Sequence, residues 1–228
     1  MRALFGPTPG QGRDRRREAG LTLVELLVAF AIAMVLLVGG VEMLRFMVLT
    51  TRANGDETLA ALQVDYAGFW ISQDALQAAN VTLGNATWTC GEQSIAITGL
   101  GNLTLKWEGE CGEGAGAIEG NNTVVYQLLP DEANLDADGC PLARLTRTHG
   151  FYDSQGVLAP SCSQGNSTVG EHLVPESTRC TPRVVGNRTT VLLEVAALVS
   201  RSGANAVATN TYEIHPRAGN VTWRQVPQ

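Results

Sequence analysis

Residues 15–40 read RRREAGLTLVELLVAFAIAMVLLVGG, and this stretch decides how the rest of the chain is understood. From Leu21 to Val41 the sequence is apolar except for Thr22 and Glu25. About 20 such residues, at about 1.5 Å of rise each, span the hydrocarbon of a bilayer as a helix. A secretory signal peptide fits poorly, because its apolar core is only about 7–15 residues and a small-residue cleavage site follows it. The basic cluster Arg13–Arg17 holds the N-terminus on the cytoplasmic side by the positive-inside rule. A plain anchor helix, however, leaves Glu25 unexplained. An ionised carboxylate at bilayer depth costs on the order of 3 kcal/mol and is rarely retained without a role.

The order of features around Glu25 supplies that role. A short basic leader ending in Gly20, then Leu21-Thr22-Leu23-Val24-Glu25-Leu26 and a long apolar run, resembles the cleavage and assembly signal of type IV prepilins and type II secretion pseudopilins. The resemblance implies that a prepilin peptidase cuts between Gly20 and Leu21, that Leu21 is N-methylated, and that the apolar helix is kept. Leu21 stands where the family usually has phenylalanine. The resemblance further implies that Glu25 sets subunit register by pairing with the new α-amino group of a neighbour, offsetting the burial of both charges. Implied partners are other pilin subunits, the peptidase, the inner-membrane assembly platform and the membrane itself. The implied location is a single pass of the inner membrane with the head in the periplasm, then a surface filament or periplasmic pseudopilus.

Downstream, Gly39-Gly40 marks a soft point or a site of close helix packing. The helix is expected to continue to about Asn80, with Asn54-Gly55-Asp56 as a kink or break. In residues 57–80, Leu59, Leu62, Tyr66, Phe69 and Leu76 fall near helical spacing and are expected to form the face that packs on the head. After residue 80 the pattern turns to β. SIAITGL, NLTLKWEG, NTVVYQLL, TTVLLEVAALVSRS, NTYEIHPR and NVTWRQV read as strands bounded by Gly and Asn. Residues 130–181, rich in Pro, Gly, Asp and Ser, read as long loops.

The expected fold class is therefore α+β. A leader (1–20) precedes a transmembrane helix (21–45), its amphipathic continuation (46–80) and a β-rich head (81–228), the layout of pilin heads. The stretches ISQDALQAANVT and VAALVSRS…YEIHPRAGN are similar to PilW-type minor pilins and J-type minor pseudopilins. Length and the loop-rich middle favour a minor component.

The whole chain has 16 basic and 22 acidic residues; without the leader it keeps 11 and 20, a net −9. So acidic a body repels phosphates at long range, which weighs against DNA as a partner. The alternative, a tip module for DNA uptake or adhesion, rests on Arg144, Arg147, Arg179, Arg183 and Arg188, if they cluster. Five cysteines follow the membrane run, none with zinc spacing, so they read as disulfide formers in an oxidising compartment. Sequence neighbours suggest Cys90–Cys111 and Cys162–Cys180, with Cys140 unpaired; spacing alone leaves other pairings open.

Asn134, Asp136 and Asp138 occupy the first, third and fifth positions of a calcium loop, but Leu145 stands where its bidentate glutamate belongs. A solvated acidic turn is the reading, with calcium as the alternative and no cofactor expected. His149, His172 and His215 are isolated, no nucleophile, phosphate-loop or metalloprotease motif occurs, and no enzymatic activity is expected. The N-x-S/T triplets at Asn80, Asn102 and Asn187 read as Asn-rich turn sequence.

Overall fold

Two physically different surfaces are built into one helix. In the computed structural model, which describes residues 22–113, 116–185, 188–199, 205–216 and 224–226, helix α1 runs from Leu23 to Ala75. The chain forms two compact units, an N-terminal one ending at Val48 and a head unit beginning at Leu49. In the first, every described residue is exposed, as an all-round apolar helix without its lipid or protein surroundings must be. Gly39-Gly40 and Asn54-Gly55-Asp56 do not interrupt the helical hydrogen bonding, so the expected break at residue 54 is absent. A glycine in a helix interior costs only about 1 kcal/mol, less than the intervening turns supply.

In the head unit, α1 buries a narrow stripe: Ala60, Val64, Ala67, Gly68, Ile71, Asp74 and Ala75. This is not the expected face. Leu62, Tyr66, Phe69 and Leu76 are exposed, and only Leu59 is partly buried against the core. Both stripes have helical spacing, so periodicity could not choose between them. Small side chains win because they let the helix axis approach the sheet closely. A Cβ added at Gly68 would stand 2.3 Å from the Tyr212 ring, and one added at Gly170 would stand 3.3 Å from Ala67 Cβ.

The strands are β1 (Asn80–Gly84), β2 (Ala86–Cys90), β3 (Gln93–Ile97), β4 (Leu103–Cys111), β5 (Ile118–Leu135), β6 (Pro141–Asp153), β7 (Gly165–Leu173), β8 (Arg179–Val185), β9 (Arg188–Val199), β10 (Ala206–Ile214) and β11 (Arg224–Val226). The large sheet runs β10-β9-β7-β6-β5-β4-β1-β11, with β8 also paired to β9, while β2 and β3 form a separate hairpin. Pairing is antiparallel except between β1 and β11. The α+β expectation holds: one long apolar N-terminal helix followed by an antiparallel sheet.

The expected loop region at 130–181 is largely strand instead. It contains the end of β5, all of β6 and β7, and the start of β8. Within β6, Leu142, Ala143, Leu145 and Phe151 are buried, an apolar content that supplies the reason. The misleading prolines sit where a ladder tolerates them: Pro141 opens β6 and Pro130 lies just before the register shift between Asp131 and Leu135. On β7, Glu171 and His172 lie between the residues paired to Leu145 and Ala143. His172 takes φ 56°, the left-handed turn of a bulge.

Two disulfides join Cys90 to Cys140 and Cys111 to Cys162. The neighbour pairing expected from sequence is therefore corrected, and Cys180 rather than Cys140 is the free thiol, fully buried. Topology accounts for the exchange. Cys140 lies at the β5–β6 bend, in reach of the end of the β2–β3 hairpin where Cys90 faces Gln93. The segment after β6 folds back, Ala159 N–H donating to Phe151 O at 2.8 Å, and carries Cys162 to the end of β4. Cys180 is instead locked in the core by its own N–H, which donates to Thr98 O at 3.0 Å.

Candidate functional site

The start of α1 is built from two side chains three residues apart. Thr22 N–H and Thr22 Oγ1–H both donate to Glu25 Oε2 at 3.0 Å, and Glu25 N–H donates back to Thr22 Oγ1 at 3.3 Å. This is a reciprocal capping box: each side chain satisfies a backbone donor that the first helical turn leaves without an intrahelical partner. Within a single chain Glu25 is held by Thr22, which turns the carboxylate back over the helix end. The signal was present in the sequence as Thr-x-x-Glu before an apolar run, the usual signature of such a box. Gly20 and Leu21, the expected cleavage and methylation residues, lie outside the described residues.

Beyond this cap the helix is long and apolar enough to cross a membrane, and no residue of its apolar window is buried. Residues 15–41 match the family model of the prokaryotic N-terminal methylation motif. The chain carries that methylation motif. It is the signal of type IV pilins and pseudopilins, and it implies processing by prepilin peptidase and assembly with other pilins. The match ends at residue 41, ahead of the head. No curated protein and no solved structure matches the chain.

In the head, a charged cluster bolts helix to sheet. Asp74 accepts from Arg147 Nε at 2.7 Å through Oδ2 and from Arg147 Nη2 at 3.0 Å through Oδ1, a bidentate pair. Tyr126 O–H donates a short hydrogen bond to the same Asp74 Oδ2. Arg147 Nη1 donates to Gln164 Oε1 at 3.0 Å, and its guanidinium lies 4.9 Å over the Trp70 ring. The ion-paired side chains are about 7% and 6% exposed. Burial, then Asp74, pushes the Tyr126 phenol well above its ordinary range. The hydrogen bond to Asp74 holds the Arg147 guanidinium protonated against the opposing effect of its burial. Nothing local in the sequence signals this cluster, whose members are 52 and 73 residues apart.

His149 lies beside it, stacked on Trp107 with ring centroids 6.3 Å apart. Its Nε2 is 2.9 Å from Asn122 Oδ1, and its Nδ1 is buried without a partner. Burial, then the Arg147 charge, lowers its pKa below the ordinary imidazole value.

Of the arginines considered as a DNA patch, two are ion-paired, and the Arg188 side chain lies outside what the structure describes. Arg147 is consumed by Asp74, and exposed Arg179 pairs with half-buried Glu194. Arg144 and Arg183 are exposed on different strands, β6 and β8.

Among the described residues no three His, Cys, Asp or Glu side chains approach closely enough to share a metal ion. Of the weak calcium candidates, Asp136 Oδ1 accepts from the N–H groups of Asp138 at 2.9 Å and Cys140 at 2.8 Å. Asn134 Nδ2 donates to Asp131 Oδ2 at 2.8 Å. These bonds close the β5–β6 bend on itself and make it an Asx turn.

Proposed function

We propose that this chain is a minor pilin subunit: cut after Gly20, methylated at Leu21 and packed through its apolar helix into a type IV pilus or pilus-like filament, or into the complex that initiates one. The observation that carries the reading is the methylation motif at 15–41, seated on a helix long and apolar enough to cross a membrane. A head held by two disulfides suits a periplasmic and then extracellular position, since such bonds persist in oxidising compartments. The role is structural; no catalytic step and no cofactor is assigned. A minor pseudopilin of a secretion filament uses the same N-terminus and is the second form of this reading. The tip-binding alternative has less support for DNA, because two of its five arginines are ion-paired, Arg147 with Asp74 and Arg179 with Glu194.

Glu25 is the residue whose loss tests assembly. In a filament its carboxylate exchanges the Thr22 bonds for the α-amino group of a neighbouring subunit, and two charges that would each be costly in the apolar core neutralise one another. Glu25→Ala is expected to be processed normally yet to be missing from sheared filaments, measured by immunoblot against the membrane-bound pool. Incorporation at the native level would contradict the register role.

A further inference from the structure

The sheet face turned away from α1 carries a polar cleft. On β4 and β5 side chains alternate between faces: Leu103, Leu105, Val124 and Tyr126 belong to the core, so Lys106, Glu108, Asn121 and Thr123 stand on the other side. Strand register sets them in two adjacent rows, Lys106–Thr123–Gly150 and Glu108–Asn121–Tyr152. Neighbours along a row are about 4.8 Å apart, and the rows, two residues apart on each strand, are separated by about 7 Å. Gly150 leaves a dip in the first row, and the Tyr152 ring leans across it: a Cβ added at Gly150 would stand 3.0 Å from Tyr152 Cε2. The cleft has a volume of about 570 Å³, within the range of about 300–1,000 Å³ that small-molecule sites occupy.

One wall of the cleft is fixed before any ligand arrives. The turn after β6 is closed by Asp153 Oδ1, which accepts from the N–H groups of Gln155 at 2.9 Å and Val157 at 2.8 Å, and by Asp153 N–H, which donates to Val157 O at 2.9 Å. The chain beyond the turn is tied to β6 through Ala159 and Phe151, and to the end of β4 by the Cys111–Cys162 bridge. The floor, by contrast, is uncommitted. The side chains of Lys106, Glu108, Asn121 and Thr123 make no hydrogen bond or ion pair with other described residues. Carried on a paired sheet, these groups need little backbone ordering to meet a ligand.

The chemistry of the lining selects the ligand. Among the lining residues Lys106 is the one cation and Glu108 and Asp153 are the two carboxylates, a net −1 on a body of −9 without the leader, so phosphates and other anions are repelled. A simple cation would engage only the carboxylates. Ammonium, amide, hydroxyl and carboxylate groups together donate and accept, which suits a ligand whose own groups do both, as hydroxyls do. The exposed Tyr152 ring adds an apolar platform for a ligand with C–H groups on one face. A sugar ring has such a face and a rim of hydroxyls. We infer that this cleft binds a neutral saccharide, its ring face on Tyr152 and its hydroxyls on Asn121, Thr123, Lys106 and Glu108. Such binding goes beyond filament assembly; it is a property of the head surface and does not depend on N-terminal processing.

The test is titration of the full-length chain, in a zwitterionic detergent without a sugar headgroup, followed by ligand-observed NMR. The probes are maltotetraose, cellotetraose and N-acetylated chitotetraose, with tetragalacturonate and deacetylated chitotetraose as the anionic and cationic comparators. The expected result is saturable binding of at least one neutral tetrasaccharide. Its Kd should rise by about tenfold in Tyr152→Ala and in Asn121→Ala, stay close to native in Tyr152→Phe, and be unchanged in Arg183→Gln on β8. Asn121 and Glu108 are exposed, so Asn121→Ala and Glu108→Ala leave the core intact and decide the matter even if Tyr152→Ala does not fold. No saturation by any of the three neutral probes, binding left intact by both Asn121→Ala and Glu108→Ala, or tighter binding of either charged tetramer would overturn the saccharide site.

Discussion

Asp74 shows how one side chain can decide whether helix and sheet stay together. Its carboxylate accepts both an Arg147 pair and the Tyr126 hydroxyl in a nearly dry site. Removing one partner leaves the other buried and uncompensated, which typically costs about 3–5 kcal/mol, whereas replacing both by apolar groups is far less damaging. Asp74→Ala is therefore expected to destabilise the protein by that amount in denaturant titration. Asp74→Leu with Arg147→Met should recover most of the loss. An equal cost for the single and double replacements would mean that packing, not charge, holds the site. His149, close by, gives a pH signature. Its folded pKa is depressed by burial and by Arg147, so the folded chain resists the proton that the unfolded chain accepts. Stability is thus present above the ordinary histidine pKa of about 6.5 and falls as pH drops through it, flattening below the folded value. His149→Gln should remove that part of the pH dependence, read as unfolding midpoints across the acid range. At this scale the Thr22–Glu25 cap is local, its Thr-x-x-Glu spacing lying in the sequence, although from sequence Glu25 is expected to serve assembly alone. The Asp74–Arg147–Tyr126 cluster is not local, since strand pairing alone brings its members together.

At the scale of elements, α1 shows where periodicity runs out. Two stripes of helical spacing compete in residues 57–76, and the larger side chains suggest the wrong one. The deciding feature is closeness of approach, which a hydrophobicity pattern does not encode. Gly68 permits it: the Tyr212 ring lies where any side chain would go, and Tyr212 O–H reaches Asp65 at 2.9 Å. Gly68→Ala should cost about 1–3 kcal/mol by overpacking, despite alanine's better helix propensity. The cost should shrink sharply in a Tyr212→Ala background; a stabilising Gly68→Ala would contradict the close packing. The misread middle of the chain has a related cause. Proline, glycine and aspartate in 130–181 are real turn residues, but they flank strands whose buried side chains, such as Leu145 and Leu173, pair across long sequence distances.

For the molecule as a whole, the two disulfides interleave. Each closes a span of about fifty residues, 50 and 51 in sequence separation, and each crosses the other's loop. In the chain-entropy model a loop of that size contributes about 4 kcal/mol, and removal of a native bridge commonly costs about 2–5 kcal/mol. Cys111→Ser with Cys162→Ser should lower stability within that range. Non-reducing peptide mapping should return Cys90 with Cys140 and Cys111 with Cys162. Burial pushes the Cys180 thiol far up, so it should resist alkylation until the protein is unfolded. A Cys162–Cys180 peptide would contradict the topology.

A retained assembly helix must be freed by cleavage behind Gly20, and the intact mass and N-terminal sequence of the protein recovered from its native membrane fraction read that cut. The expected result is a chain beginning at N-methyl-leucine 21. A correctly localised chain beginning at Met1 would make the helix an ordinary anchor and contradict the account.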